Sequence, residues 1–320
     1  MFSAFFMRFI LSFFAFILLT LQSFSQEKIY QNELGFRSDN DAYLGTKQDR
    51  YYTNGLFIHF RRAIENKNDS TTKKIWSLNL GHEMYNARSG QITEIENVDR
   101  PFASYLYAGG SLQWLKPNEN ILKLAIQMGT IGPAALGKEV QTVLHDFVGF
   151  YDISGWQYQV NDEFGVNLKL NLQYFLFRNK NKNLDFSLPI NVSLGNTFTG
   201  LDAGILFRTG SINPFYHSVA TQSNIATKVQ TGLKKQEFYF FLKPALTYVA
   251  YNATIQGGLF VKDKGPVTYK PIPFVFSQQI GASYANKRFT VDLSVIFKSK
   301  ELASATKSEQ YGSVAFYYRF

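Results

Sequence analysis

The most constraining feature of this sequence is a two-residue alternation of apolar and polar side chains between Phe164 and Leu176. Because successive side chains of a β-strand point to opposite faces, the pattern predicts a strand with one apolar and one polar face. A strand of a soluble sandwich alternates in the same way, but thirteen residues is long for such a strand. About ten residues cross a bilayer at the usual tilt, so the length favours a membrane-spanning strand.

The same alternation recurs along the chain and predicts twelve strands, the even number that single-chain bacterial barrels require. The last strand ends in the aromatic Phe320, which resembles the recognition signal of barrel-assembly substrates. Residues 253–260 permit one further strand. The predicted strands are residues 30–39, 52–63, 74–85, 103–115, 121–130, 162–177, 184–195, 201–209, 236–251, 272–284, 289–299 and 309–320.

The N-terminal segment has the features of a secretory signal peptide. An apolar run from Phe9 to Leu21 follows the single cation Arg8 and leads to small residues at Ser23 and Ser25. We therefore predict a signal peptide at residues 1–25 and one mature domain at residues 26–320. An uncleaved anchor helix is the alternative, although the run is short for a comfortable span.

Composition after the signal peptide favours an outer-membrane β-barrel. No run of 18 apolar residues follows residue 25, so no transmembrane helix is predicted. Aromatic residues nevertheless make up 17% of the chain, as expected for the aromatic girdles at both bilayer interfaces of such barrels. The sequence therefore predicts an all-β fold, a twelve-stranded antiparallel outer-membrane β-barrel whose outward loops carry a short helical segment.

The chain is basic, with 33 Lys and Arg against 24 Asp and Glu. An exported barrel is not expected to meet nucleic acid. An anionic glycolipid of the outer leaflet, such as lipopolysaccharide, is a better match for a basic rim. We expect this lipid and the outer membrane as partners, and a monomeric protein.

Three segments with unusual polar chemistry fall on one side of the predicted barrel. If both termini lie in the periplasm, residues 40–51, 86–102 and 131–161 are outward loops, adjacent on the rim. Short polar links at 64–73, 116–120, 178–183 and 285–288 then lie on the periplasmic side, if the alternation is allowed one slip. The polar loops are expected to converge into one outward-facing site, whereas the long stretch 210–235 has no assigned role.

The loop at 131–161 contains a candidate catalytic histidine. A short helix opened by Pro133 places Gln141 and His145 four residues apart on one face. Such spacing is more often a solvated helix face than a site. A neutral imidazole can act as general base on a water molecule, and Gln141 would orient the substrate or the ring.

The first outward loop contains candidate ligands for a calcium ion. Asp39 and Asp41 flank Asn40 at a strand end, and Ca²⁺ prefers hard oxygen ligands of this kind. A solvated Asx turn is an equally good interpretation of this stretch alone. A Ca²⁺ ion near Asn40 and Asp41 would polarise an ester carbonyl, to which Thr53 would donate a hydrogen bond. No Gly-x-Ser-x-Gly motif is present to indicate a serine hydrolase.

These residues, in this order, resemble the outer-membrane lipid A 3′-O-deacylase family. The resemblance covers most of residues 30–170 and is carried by the Asn40–Asp41 pair and four blocks, which are DRYYTNG at 49–55, DRPFASYLY at 99–107, IGPAALGKEVQTVLH at 131–145 and GWQYQ at 155–159. The family implies a twelve-stranded barrel that removes the 3′-linked acyloxyacyl group of lipid A in a calcium-dependent ester hydrolysis.

Residue by residue, the resemblance gives roles to the same side chains. His145 is similar to the family's catalytic histidine and Gln141 to its accompanying glutamine. Asn40 and Asp41 resemble the Asn-Asp pair, and Thr53 resembles the threonine after the first outward loop.

One position departs from the family pattern. The family has a lysine in the second outward loop, but no lysine lies between Tyr85 and Asp99 in this chain. Arg88 and Arg100 are the candidate replacements for contact with a lipid phosphate, although arginine and lysine differ in geometry.

Two other functions remain open from the sequence. The first alternative is a non-enzymatic channel or structural barrel, with a lumen lined by Lys169, Gln173 and Lys243. The other alternative is a phospholipase-type esterase of the same membrane.

Overall fold

The computed structural model of the protein describes residues 29–45, 49–65, 71–228 and 231–320. The predicted signal peptide at 1–25 lies outside these residues. No helix among the described residues is both long enough and apolar enough to span a membrane.

The described chain forms a closed barrel of twelve antiparallel strands, as predicted. β1 pairs with β13 and closes the sheet, and β8 and β9 are two parts of one barrel strand, since both lie between β7 and β10. The strands are β1 Asn32–Asn40, β2 Tyr51–Ile64, β3 Lys73–Asn86, β4 Ala103–Leu115, β5 Ile121–Ile131, β6 Glu163–Arg178, β7 Leu184–Gly195, β8 Phe198–Gly204, β9 Leu206–Ser211, β10 Glu237–Asn252, β11 Phe274–Ala285, β12 Phe289–Lys298 and β13 Glu309–Arg319.

The helical segments are short. The longer helix, α1, spans Gly137–Val148, and α2 spans Ala253–Gln256. Single 3-10 turns occur at Asp41–Leu44, Ile95–Asn97, Pro133–Ala135, Trp156–Tyr158, Phe215–His217 and Val219–Thr221.

The prediction of a further strand at 253–260 is wrong, because a helix cap redirects the chain there. The side chain of Asn252 accepts hydrogen bonds from the Thr254 amide at 3.0 Å and the Thr254 hydroxyl at 2.7 Å. An Asn in this position starts a helix, so β10 ends at Asn252 and α2 begins.

The outer face of the barrel is an apolar belt that the alternation of the strands produces. Large apolar side chains at alternate positions are exposed, as expected of a surface that faces lipid. They include Leu34, Phe36, Ile58, Leu78, Leu80, Leu124, Ile126, Met128, Leu168, Leu176, Leu194, Leu246, Phe276, Ile280, Leu293 and Val314.

Of the stretch 210–235, which had no assigned role, residues 212–228 and 231–235 fold back into the barrel at the end that holds the termini. Its residue Ile225 is buried against inward-facing residues of four strands, which are Ala63, Ile75, Leu115 and Ile121. The amide of Ala226 also donates to the carbonyl of Tyr30 at 2.9 Å. We call residues 212–228 and 231–236 the plug, because they fill this end of the lumen.

The loops and links alternate strictly between the two ends of the barrel, so the slip that the sequence interpretation allowed is not needed. The four short links and the plug lie at the end with the termini. The segments after β1, β3 and β5 lie at the opposite end.

Candidate functional site

Three loops meet at the end of the barrel away from the termini. The Ser154 amide donates to the carbonyl of Gly90 at 2.8 Å, and the Val160 amide donates to that of Phe102 at 2.9 Å. The hydroxyl of Tyr151 donates to the carboxylate of Asp49. The fold therefore brings together all three segments that the sequence marked as rich in polar chemistry.

The site lies on the outer wall of the barrel rather than in its lumen. Leu80, His82 and Met84 of β3 are alternate residues on the outward face, paired in register with outward-facing residues of β4. Leu80 is exposed, but His82 and Met84 are buried. The loop between β5 and β6 covers them, since the carbonyl of Ala135 accepts a hydrogen bond from His82 Nε2 at 2.7 Å.

Helix α1 packs directly against this wall. A Cβ atom on Gly137 would lie 2.6 Å from the Cβ of Ser104 and 2.4 Å from the indole of Trp156, so only glycine fits the contact. The predicted short helix is present, but Pro133 opens a separate 3-10 turn and α1 begins four residues later. Gly149, at a φ of 70°, ends the helix.

His145 has hydrogen-bonding partners at both ring nitrogens. Its Nδ1 lies 2.8 Å from the backbone carbonyl of Tyr151, and its Nε2 lies 3.2 Å from Oδ2 of Asp49. A carbonyl only accepts, so Nδ1 carries a proton, and Nε2 is the nitrogen that gains or loses one. Burial alone would lower the pKa of His145, but the hydrogen bonds to Asp49 and to Tyr151 outweigh burial and raise this pKa.

Asp49 is the centre of the polar cluster. Besides His145, it accepts hydrogen bonds from the hydroxyl of Tyr151 and from Thr53 Oγ1, the latter at 3.1 Å. Burial would raise the pKa of Asp49, but these three hydrogen bonds hold it below its ordinary value. The carboxylate is therefore ionised at neutral pH and faces the imidazole.

A second buried carboxylate, Asp41, lies beside Asp49. Thr53 Oγ1 is 3.5 Å from Oδ1 of Asp41 as well as 3.1 Å from Oδ1 of Asp49. Burial raises the pKa of Asp41 to about 8, and the nearby Asp49 adds to this, although the Arg50 amide, 3.0 Å from Oδ2, opposes it. Asp41 therefore holds a proton at neutral pH unless a cation binds, because two adjacent carboxylates repel each other.

The donor atoms of this cluster suit a calcium ion. Within the described ranges, no three His, Cys, Asp or Glu side chains are grouped to hold a metal. The carboxylates of Asp41 and Asp49 and the hydroxyl of Thr53 are all hard oxygen donors, and Ca²⁺ completes its shell with carbonyls and water. The residues therefore fit the ion, through two carboxylates rather than three.

Asn40 shapes the cluster through its side-chain amide. Its Oδ1 accepts the Ala42 amide at 2.6 Å, and its Nδ2 donates to Oδ1 of Asn54 at 2.7 Å. The amide oxygen thus caps the turn that carries Asp41, and the amide nitrogen links this turn to β2. Asn40 therefore positions Asp41, and it stays a predicted ligand, since its Oδ1 has a second lone pair.

Gln141 is fully buried one turn before His145. Its Oε1 accepts a hydrogen bond from Trp156 Nε1 at 2.8 Å. Its Nε2 has no hydrogen-bond acceptor among the described residues. This amide group is an oriented donor close to the histidine.

The two candidate arginines are placed very differently. Arg88 is exposed and its guanidinium donates to Asn97 Oδ1. Arg100 is fully buried, stacks over the ring of Tyr85 at 4.3 Å and donates to the hydroxyl of Thr254 at 3.1 Å. Arg100 therefore ties a loop to α2 and has no surface to offer a lipid phosphate, whereas Arg88 remains a candidate.

Sequence reasoning missed Asp49 and Tyr151 as site residues. Asp49 begins the DRYYTNG block, and its position four residues before Thr53 was the available signal. The role of Tyr151 depends on its backbone carbonyl, which no side-chain pattern reveals.

The family model for "Outer membrane protein LpxR" matches residues 10–320. Among solved structures, the chain is similar to LpxR from Salmonella typhimurium, with 20% identity, coverage of 90% of this chain and 100% of that chain, and a TM-score of 0.70. The β domain of the Bordetella autotransporter BrkA gives 11% identity, 92% and 99% coverage, and a TM-score of 0.48, too distant to support any inference.

Among curated proteins, none matches this sequence. The family model spans most of the chain, and the barrel agrees in strand number and closure with what the sequence predicts. The chain belongs to the LpxR family of outer membrane proteins.

Proposed function

We propose that this protein hydrolyses an ester-linked acyl chain of lipid A, the 3′-acyloxyacyl group that the sequence resemblance implies. The observation that carries the proposal is the pairing of His145 with Asp49 beside a second carboxylate, Asp41. If the termini lie in the periplasm, as the sequence interpretation has them, this part of the outer wall borders the leaflet in which an acylated glycolipid resides, which supports the proposal.

His145 Nε2 is the proton acceptor in this reaction. Water attacks the carbonyl carbon of the ester, and Nε2 takes the proton from that water. The bond from the carbonyl carbon to the sugar oxygen breaks, and the sugar oxygen takes the proton back from Nε2, which regenerates neutral His145. The fatty acid and the sugar hydroxyl are the products.

Asp49 acts through His145. The carbonyl of Tyr151 fixes the ring with its proton on Nδ1, and Asp49 stabilises the imidazolium that forms when Nε2 is protonated. The ion pair in this structure corresponds to that protonated form, so the reaction begins only after Nε2 has lost its proton.

Asp41, Asp49 and Thr53 would hold a calcium ion. When bound, Ca²⁺ supplies a positive charge that polarises the ester carbonyl. Thr53 donates its hydroxyl hydrogen to Asp49 and bridges the carboxylates rather than pointing a free hydroxyl at the substrate. Gln141 Nε2, which has no acceptor among the described residues, would orient the ester or the imidazole ring once the substrate opens access to it.

The channel alternative is less well supported by the described residues. Aromatic side chains fill the lumen near the loops, and the plug fills it near the termini. The aromatic set consists of Tyr52, Phe57, Tyr85, Tyr105 and Tyr107.

Incubation of the purified protein with lipid A and, separately, with phospholipid tests the proposal. Mass spectrometry should show loss of an acyloxyacyl group from lipid A in the presence of Ca²⁺, and no loss after chelation. Release of fatty acid from phospholipid alone would favour the phospholipase-type esterase instead.

A further inference from the structure

Helix α1 has three distinct sides, and one of them is apolar and exposed. Gln141 and His145 face the barrel wall and are buried. On the opposite side, Val143 is 65% exposed and Phe147 is 86% exposed. Residues four apart lie on the same face of a helix, so the two exposed residues form one surface, separate from the catalytic one.

This apolar surface extends beyond the helix ends. Leu136, before α1, and Phe150, after it, are also exposed at 48% and 44%. Both residues flank α1, and the ring of Phe150 also packs edge-on against the ring of His145, with the centroids 5.5 Å apart. We call these four residues the α1 stripe.

The third side of α1 is polar. Four exposed residues lie along one edge of the stripe, which are Lys138, Glu139, Thr142 and Asp146. A helix with an apolar side next to a charged side is typical of helices that lie in the plane of a membrane interface.

The wall that α1 covers continues directly from the lipid-facing belt of β3. The helix and its preceding turn cover His82 and Met84, directly after the exposed Leu78 and Leu80 of the lipid-facing belt. At a rise of about 3.3 Å per residue and a tilt of roughly 40°, His82 lies about 5 Å further along the barrel axis than Leu80. Interfacial helices bury their apolar side by about 5–10 Å.

We propose that the α1 stripe inserts into the acyl-chain region of the surrounding outer leaflet, so that α1 is an interfacial anchor carrying His145 on its other side. The apolar belt of β3 continues into the wall under α1, and lipid covers that belt; the same lipid is therefore the occupant of the stripe. The inference deepens the proposed function, because it places His145 at the level of the lipid. The test measures how deeply the α1 stripe lies in the membrane and does not measure hydrolysis. The insertion of α1 and the proposed function can therefore fail separately.

The chain has no cysteine, which permits site-directed spin labelling on an otherwise native background. The variants Val143→Cys and Phe147→Cys, each labelled with a nitroxide, are reconstituted as full-length barrels in phosphatidylcholine vesicles. Leu80→Cys, in the belt, and Glu139→Cys, on the polar side of α1, are the matched controls. The collision rates of each label with oxygen and with a water-soluble nickel chelate report its depth.

The labels at positions 143 and 147 should resemble that at 80, with oxygen collisions favoured over nickel, and the label at 139 should show the reverse. Nickel accessibility at 143 and 147 equal to that at 139 would overturn the proposal. So would strong dipolar broadening between labels at 147, because a second copy of the chain would then cover the stripe. Correct insertion is shown by the response of the label at 80.

Discussion

The pairing of His145 with Asp49 is the feature on which the chemistry depends. The spacing between Gln141 and His145 predicted a catalytic histidine, and the Asn-Asp pair predicted Asp41 as a calcium ligand. The sequence did not predict that Asp49 pairs with His145. These two residues lie 96 positions apart and meet only when two loops fold over the same wall. Long-range side-chain pairing of this kind depends on loop conformation, which two-residue periodicity does not encode.

Replacing Asp49 with Asn should slow hydrolysis and move its pH dependence. Without the carboxylate, the imidazolium that forms during the reaction is less stable, and the rate should fall on the order of 10²–10⁴-fold. Because Asp49 raises the pKa of His145, the acidic limb of the rate profile should move to lower pH. A pH–rate profile of Asp49→Asn with an unshifted midpoint would show that the carboxylate does not act through the ring.

Calcium affinity should increase with pH. The pKa of Asp41 is raised to about 8, so a proton competes with the cation below that pH and no longer competes above it. Titration calorimetry should find an apparent affinity that improves by up to about tenfold per pH unit from 6 to 8 and then levels. Affinity independent of pH over this range would exclude Asp41 as a ligand.

At the level of elements, the strands and the short helix α1 were predictable, whereas α2 and the plug were not. The alternation located all twelve barrel strands because a wall between lipid and lumen requires it in every strand. The α2 turn depends on one capping residue, Asn252, and was missed. The plug was also unassigned, since it is stabilised by contacts with Ile75, Leu115 and other residues distant in sequence.

Helix α1 links anchoring to catalysis if the α1 stripe lies in the leaflet. The double variant Val143→Ser/Phe147→Ser should raise KM for lipid A in vesicles on the order of tenfold, because apolar contact with the acyl chains is lost. The value of kcat should change little, since neither residue contacts His145. Kinetics on vesicles measure this, with Thr142→Ser on the polar side as the control. An unchanged KM would separate α1 from substrate capture.

In the whole molecule, the candidate site lies at one end of the barrel, and a network of buried ion pairs around Asp185 lies at the other end. Near the termini, Asp185 forms ion pairs with Arg178 at 2.8 Å and with Arg208 at 2.7 Å, and Arg208 is completely buried. Arg208 also donates to the hydroxyl of Ser218 in the plug at 2.6 Å. The network therefore attaches the plug to the wall.

Replacing Asp185 with Asn should destabilise the barrel without altering the site. Arg178 keeps its ion pair with Glu119, but the buried Arg208 is left with only Glu237, 3.9 Å away, so the loss of compensation should cost up to about 3–5 kcal/mol. Denaturant unfolding followed by Trp fluorescence should report the loss, while hydrolysis by the folded protein stays unchanged. Glu65→Gln, which removes an exposed ion pair with Lys228 at 3.8 Å, is the control and should cost less than about 1 kcal/mol. Equal losses in the two variants would contradict the structural role of the network.

The central claim is that His145, held on the outer wall by Asp49 and Tyr151, removes an acyl chain from lipid A. Its most direct test is the lipid A mass spectrum of cells that express the wild-type protein or His145→Ala, with outer-membrane insertion of both confirmed by heat-modifiable migration. The account predicts a lighter lipid A, lacking the 3′-acyloxyacyl group, only with the wild type. The same lighter species with correctly inserted His145→Ala would contradict it.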